Sequence, residues 1–387
     1  MDKPGRQQWL DSSAADDRRP LVVLSANSSW NLLNFREVLI DGFEAAGYRL
    51  AAFVPGDSHA NGLRARGIAV ISMPLARSGM NPFADASLLL RYRRALKGLK
   101  PAAYCSFTIK PNVYGCGAAR MAGVPSIANV TGLGTMFLSG SLAWRLAASL
   151  YRWAFRKSHR VFFENDEDLR LFVDQKIIRP EQGRAVPGAG MDLDKFAPSD
   201  EPEGGLRFLF IGRALRDKGF REYVDAARAL RPRFPEARFQ VLGGPDPENR
   251  TSVSQSEFQS WVSEGLIDHL GEHSDVRPFI RAASAIVLPS YREGMSRALL
   301  EGAAMAKPLI GSNVAGCLEL IEEGVTGTLC EPRDAVSLAE AMDRIARLSP
   351  DQRRELGRAA RRKVEREFNK ELVVDAYLEA LAEVIRP

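Results

Sequence analysis

The sequence predicts an α/β chain of two doubly wound, parallel-sheet domains. Three observations predict it: the length, an alternation of strand-like with helix-like runs, and a restart of that alternation half-way along. At 387 residues the chain is too long for one comfortable core, and the usual domain size of about 100–200 residues divides it in two. With 45% hydrophobic and 26% charged residues its composition is that of an ordinary globular protein, neither disordered nor membrane-embedded.

The first half opens at Pro20 with LVVLSAN, a continuous apolar run of strand type. NLLNFREVLIDGFEAAGYRL follows, its apolar positions repeating at helical spacing until Gly47. Next come strands LAAFVP and GIAVISMPL, a helix from about Leu88 to Leu99, strand AAYCSFT and a helix from about Val113 to Ala122. Such alternation yields a parallel sheet covered on both faces. The Pro/Gly/Asp-rich passage VPGAGMDLDKFAPSDEPEGG has the turn chemistry of an interdomain linker and sets a boundary near Gly190. Beyond it run LRFLFIG, a helix from Gly219 to Leu230, ARFQVLGG, IDHLG, AIVLPS and a helix from Ser296 to Met305. PLIGS, a helix near Leu318, GTLCEP and a helix near Leu338 complete the second sheet. The expected division is 1–190, 191–369, and a terminal helical segment, 370–387, placed to cross back to the first domain. Ligands of such sheets bind at the carboxyl ends of the strands.

No apolar run approaches the roughly 20 residues that cross a bilayer, and the first nineteen residues lack the apolar centre of a secretion signal. A cytosolic location is expected. Cys105, Cys116, Cys317 and Cys330 have no metal-ligand spacing and read as reduced core residues. Charge is uneven. Residues 1–190 carry 25 Lys/Arg against 15 Asp/Glu (+10), and residues 191–387 carry 28 against 33 (−5). Residues 86–163 hold twelve Lys/Arg and no carboxylate, which marks a surface that faces something anionic.

Chemistry concentrates in PSYREGMSRALLEGAAMAKPLIGSNVAG. Glu293 stands at a strand-to-helix turn and Glu301 eight residues later. On a helix that offset is a little over two turns, which turns both carboxylates toward one side, where they can accept hydrogen bonds from sugar hydroxyls. Gly294 permits close backbone approach, and Met295 and Ser296 lead into a helix N-terminus that suits a phosphate. A capped helix with two solvated acids would look the same in isolation. The second constellation is FIGRALRDKGF, after the first strand of the same domain. Arg213 and Lys218 there can neutralise a diphosphate and the charge that builds on it as it leaves. Alone, this string also fits a surface turn with a basic rim.

Together the segments resemble the retaining family 4 glycosyltransferases of GT-B fold. EGMSRALLE matches the family's Glu-x7-Glu element and GRALRDKG its phosphate-binding element, with the resemblance densest from Leu206 to Pro332. It implies two Rossmann-like doubly wound domains facing a central cleft. It also implies a donor diphosphate on Arg213 and Lys218, the transferred sugar on Glu293, the ribose on Glu301, and a wall near the base from Ile267 to Leu270, including His269. Catalysis would fall to Glu293, Arg213 and Lys218, by front-face displacement. FTIKPNVYGCGAARMAGVPSIANVTGLGTMF looks like the branch that acts on polyprenyl-diphosphate-linked saccharides, which would put Lys110, Asn112, Asn129, Thr131, Gly132 and Gly134 on the acceptor side. The sequence departs from the family where many members carry an acceptor-side His and a Gly-Gly loop after the first strand; here stand Lys110 and SANSSWN. Lys110 could equally pair with a buried carboxylate.

SLAWRLAASLYRWAFRKSHR places Arg145, Arg152, Arg156 and Arg160 at offsets of seven, four and four, with Lys157 beside them. Leu142, Leu146, Leu150 and Trp153 mark an adjacent apolar face. This reads as a basic amphipathic helix with an interfacial Trp, suited to an anionic membrane surface, although a core-packed helix shares the pattern. Asp166-x-Asp168 reads as a helix start, Asp192-x-Asp194 as linker, and His269, Glu272 and His273 lack a further ligand at convincing spacing. No metal or other cofactor is assigned.

The expectation is a UDP-linked hexose or N-acetylhexosamine donor, a polyprenyl-diphosphate-linked acceptor, the inner face of the cytoplasmic membrane, and no nucleic acid. A two-domain sugar-nucleotide epimerase and a silent nucleotide-sugar-binding protein stay open as rivals.

Overall fold

A computed structural model describes residues 18–75, 81–133, 141–200, 202 and 204–385. The chain forms two compact units. One comprises Met1–Thr131, Ser139–Ala189 and Val373–Pro387, the other Gly132–Leu138 and Gly190–Leu372.

The first unit carries a seven-stranded sheet: β1 (Leu21–Ser25), β2 (Arg49–Val54), β3 (Ala69–Ser72), β4 (Ala103–Ser106), β5 (Ser126–Val130), β6 (Arg160–Phe163) and β7 (Gly183–Ala185). Their order is β3-β2-β1-β4-β5-β6-β7, and every pairing is parallel. β1, β4 and β5 are buried along their whole length, as helix-covered parallel strands must be. The helix Lys370–Val384 completes this unit's core. Tyr377 is fully buried, with ring centroids 4.3 Å from Phe162 and 6.1 Å from both Phe43 and Phe107.

The second unit has β8 (Arg207–Ile211), β9 (Arg238–Leu242), β10 (Asp268–His269), β11 (Ala285–Leu288), β12 (Leu309–Ser312) and β13 (Gly327–Cys330). They lie in the order β10-β9-β8-β11-β12-β13, again all parallel. In both sheets the order reverses once, beside the first strand of the unit, and that switch point opens a crevice at the strands' carboxyl ends.

Several local expectations are corrected. The first long helix is two, Ser29–Phe35 and Glu37–Ala45, and Arg36 between them turns its side chain inward to Glu164, 3.0 Å away. The helix placed from Val113 begins earlier, as a π-helical turn at Pro111–Gly115, where any Cβ on Gly115 would strike the Tyr104 hydroxyl. Around Leu318 the chain forms turns, not a helix. The helix Pro350–Glu367 was not anticipated. All four cysteines are buried and free, and burial pushes the Cys116 and Cys330 thiols up to about 11.

Candidate active site

The loops after β8 and β11 flank the switch point of the second sheet, and they carry the phosphate-binding and acidic candidates respectively. Lys218 ends the 3-10 turn Arg216–Lys218, and its ammonium donates to Glu293 Oε1 at 2.5 Å. Ser290 Oγ donates to the same oxygen at 2.6 Å. Two further contacts lock the loops together. Tyr291 N donates to Asp217 O at 2.9 Å, and Gly219, at φ +68°, approaches so closely that a Cβ would overlap Pro289 O. Only glycine meets both demands. Tyr291 also donates to Glu222 Oε1 at 2.6 Å; burial first, and then the Glu222 carboxylate, raise its phenol above the ordinary range.

Arg213 lies in the same loop but bonds elsewhere, to Asp246 Oδ2 at 2.7 Å. Backbone packing around it is tight. Gly212, Gly243 and Gly271, all at positive φ, follow β8, β9 and β10, and a Cβ on Gly243 would overlap Gly212 O. Ala214 N donates to Gly244 O at 2.8 Å and Gly243 N to Gly271 O at 2.8 Å.

The helix after β11 spans Arg297–Ala304, with Ser296 as its N-cap and Ser296 Oγ accepting from Leu299 N. Glu293 therefore stands outside the helix, and the two-turn argument that turned both acids to one side does not apply. Glu301, 8% exposed, accepts from Arg297 Nε at 2.8 Å. Arg297 in turn reaches Gly190 O at 3.3 Å. The structure thus brings Lys218 and Glu293 into contact, while Arg213 and Glu301 each meet their own counter-charge.

Gly294 is buried and Met295 packs on the core. Gly316, which sequence reasoning missed, sits at φ +78°, where a Cβ would fall 2.7 Å from both Glu293 Cβ and Gly294 O; Ser296 N donates to Gly316 O at 3.2 Å. At the end of β10, His269 meets the Phe258 ring edge-on at 4.9 Å, and Leu270 N donates to Val241 O. His273 Nε2 lies 2.9 Å from Leu270 O.

The acceptor-side candidates divide. Lys110 pairs with the buried Asp85 at 3.1 Å, the structural alternative foreseen for it. Asn112 and Asn129, expected to line a binding surface, are instead 1% and 0% exposed. Asn112 donates to Asn129 O at 2.8 Å and accepts from Ser106 Oγ at 2.7 Å, and Asn129 donates to the Tyr377 hydroxyl at 2.9 Å. These amides tie strands and helices together and present nothing to an acceptor. Thr131 is half-buried. Gly132 groups with the second unit, where a Cβ on it would lie 3.0 Å from Gly294 N. Gly134 lies outside the described residues.

The basic helix is also corrected. It ends at Phe155, so Arg156 and Lys157 belong to the turn after it, and Arg160 is in β6, ion-paired with Glu383 at 2.9 Å. Trp153 is half-buried. It packs against Gly117, whose Cβ would overlap the indole, and Arg120 stacks on it at 4.9 Å. Arg145, Arg152, Arg156 and Lys157 are exposed, with Arg152 donating to the carbonyls of Gln175 and Lys176. Asn165 caps the helix Asp166–Asp174, accepting from Asp168 N at 2.7 Å, as the helix-start reading of that Asp-x-Asp requires. Among the described residues no helix is long and apolar enough to cross a membrane.

Two family patterns match the chain. "Glycosyl transferase 4-like domain" matches residues 36–189 and "Glycosyl transferases group 1" residues 205–347. The chain is a glycosyltransferase. Its candidate site lies at the switch point of the unit that the second pattern covers. This glycosyltransferase is 27% identical over 375 residues to the N,N'-diacetylbacillosaminyl-diphospho-undecaprenol alpha-1,3-N-acetylgalactosaminyltransferase of Campylobacter jejuni, covering 92% of this chain and 96% of that one. It is 26% identical over 278 residues to the UDP-Gal:alpha-D-GlcNAc-diphosphoundecaprenol alpha-1,3-galactosyltransferase of Escherichia coli, covering 67% and 70%. The fold is shared with sucrose-phosphate synthase from Thermosynechococcus elongatus (TM-score 0.78, 20% identity, 95% and 99% covered). It is shared too with HepE from Anabaena, solved with UDP and glucose (TM-score 0.74, 18% identity, 94% and 100% covered). These structures make the glycosyltransferase a GT-B enzyme.

Proposed function

We propose that the enzyme moves a hexose or N-acetylhexosamine from a UDP-sugar to a hydroxyl of an undecaprenyl-diphosphate-linked saccharide, with retention at the anomeric carbon. The observation that carries this reading is the meeting of Lys218 and Glu293 at the switch point, where Lys218 comes from the same loop as Arg213. The acceptor class rests on the two bacterial relatives, whose names specify undecaprenol-linked substrates.

In this reading the lysine exchanges its carboxylate partner for a donor phosphate, and the freed Glu293 accepts from sugar hydroxyls. As the bond from the anomeric carbon to the phosphate oxygen breaks, Lys218 and Arg213 hold the growing negative charge, the role of any fixed cation facing a leaving group. The new bond to the acceptor oxygen forms on the same face, and the acceptor's proton passes to the departing diphosphate. The exposed basic residues of the first unit give the enzyme an anionic-membrane face, which would place it peripherally on the inner leaflet.

The test is nucleotide release across a panel of UDP- and GDP-sugars, with and without polyprenyl-linked acceptors. Glycosylated lipid should form only with a UDP-sugar and acceptor together. Free sugar and nucleotide without acceptor would instead mark an epimerase, and donor binding without turnover a silent binding protein.

A further inference from the structure

A second cationic site lies at the opposite, amino-terminal edge of the second sheet. A cavity of about 620 Å³ is lined there by Arg207, Arg281, Arg354 and Arg358, with Asp200 and Pro278 in its walls. Arg207 is the first residue of β8. Arg281 is in the last turn of the helix Arg277–Ala282, just before β11. Arg354 and Arg358 are about one turn apart on the helix Pro350–Glu367, so they share a face.

The cavity is built rather than accidental. Lys307, 1% exposed, ties two of its walls by donating to Asp200 O at 2.7 Å and Arg281 O at 3.0 Å. Gly357 lets the helix rest on Ala306, because a Cβ there would overlap Ala306 O; that contact sets Arg354 and Arg358 at the rim.

Two of its four charges are unmatched among the described residues. Among the described residues, the side chains of Arg281 and Arg358 have neither a carboxylate nor a hydrogen-bond partner. Arg354 meets Asp351 of its own helix, and Arg207 is already engaged, with Ala282 O at 3.3 Å among its partners. Elsewhere on the same helix Arg361 and Lys363 are paired with Glu365 and Glu367. Guanidinium forks gathered in a concavity are suited to bidentate bonds with phosphate oxygens, and the volume falls within the range of about 300–1,000 Å³ usual for small-molecule sites.

We infer that this cavity binds a small soluble anion of the diphosphate class, at a site distinct from the one that holds the donor. The strand length between β8's first residue and the Arg213 loop keeps the two apart, so occupancy of one leaves the other open.

The test titrates inorganic pyrophosphate calorimetrically into protein carrying Arg213→Ala and Lys218→Ala, which silences the donor site. Pyrophosphate should still bind. Adding Arg281→Gln and Arg358→Gln should weaken it at least tenfold with the melting temperature unchanged, and Lys at both positions should restore most of it. Absence of binding to the donor-site variant, or equal affinity with and without the two glutamines, would overturn the inference. A parallel arm measures sedimentation with phosphatidylglycerol vesicles. If the glutamines abolish vesicle binding and leave pyrophosphate binding intact, the face meets lipid and the soluble-ligand assignment fails.

Discussion

Lys218 and Glu293 neutralise one another at 2.5 Å, so removing either leaves a partly buried charge with a weaker partner. Lys218→Ala should cut turnover about 100- to 1,000-fold, the usual loss when one fixed stabiliser of transition-state charge is deleted. Arg213→Ala should act in the same direction and leave the melting temperature almost unchanged, since its side chain is 57% exposed; steady-state rates and melting curves on both variants check this. Gly316→Ala forces a Cβ at φ +78° against Glu293. The left-handed conformation alone costs about 1–2 kcal/mol, and displacement of Glu293 should raise the donor KM, so a lower melting temperature and weaker donor binding are expected together. Lys218 and Glu293, which the structure brings into contact, stood out in the sequence because charge beside a strand end is a local signal. Gly316 and Gly219 did not, because what singles them out is a neighbour distant in sequence. Asn112 and Asn129 misled for a related reason: polar residues beside glycines resemble a binding loop until their burial is known.

At the scale of elements, alternation of apolar strands with amphipathic helices was readable wherever the buried face is made of large side chains. The helix Pro350–Glu367 escaped because its buried positions are Arg353, Gly357, Ala360 and Val364, a seam too small in side chain to register as apolar. Its start was nonetheless written in Ser349, Pro350 and Gln352, a capping box with proline at the first turn. The helix near Leu318 failed in the opposite sense, since the apolar residues there, Ala315, Cys317, Leu320 and Ile321, are buried from a series of turns. The chain leaving the helix Pro350–Glu367 is clamped to the start of the second unit: Met191 N donates to Phe368 O at 2.8 Å, Lys370 N to Met191 O at 3.1 Å, and Lys370 Nζ to Asp192 at 2.9 Å. Burial disfavours charge on Asp192, but the amides of Lys195 and Asp194 and the Lys370 ammonium outweigh it and hold the carboxyl below its ordinary range. A depressed carboxyl stabilises the fold above its unfolded value, near pH 4, and loses that contribution as pH falls through the folded value. Asp192→Asn should therefore lower stability at neutral pH, with the gap to wild type closing below about pH 4 in acid-unfolding curves.

At the scale of the whole molecule, the two-sheet plan followed from length and from the restarted alternation, both properties of the entire sequence. The proposed membrane face has a sequence signal in outline only. Composition located the acid-free stretch, but Trp153 packs on Gly117 and Arg160 pairs with Glu383 at the surface, which no periodicity could reveal. Replacing Arg145, Arg156 and Lys157 with Gln should reduce co-sedimentation with anionic vesicles and leave release of nucleotide to a soluble acceptor analogue unchanged. Tyr377→Ala should cost about 3–5 kcal/mol, the range for emptying a buried aromatic site, and calorimetry should assign the loss to the unit built on β1–β7.

Tyr377 joins Asn129 across 248 residues, and this separation bears on how the protein is made. A ribosome finishes β1 to β7 long before it reaches the segment that fills the gap among Phe43, Phe107 and Phe162. The emerging polypeptide must carry that greasy opening through the synthesis of an entire second domain, so the earliest-made half is the last to become fully native, and a chain cut short before Lys370 would be a product that chaperones and proteases hold on to.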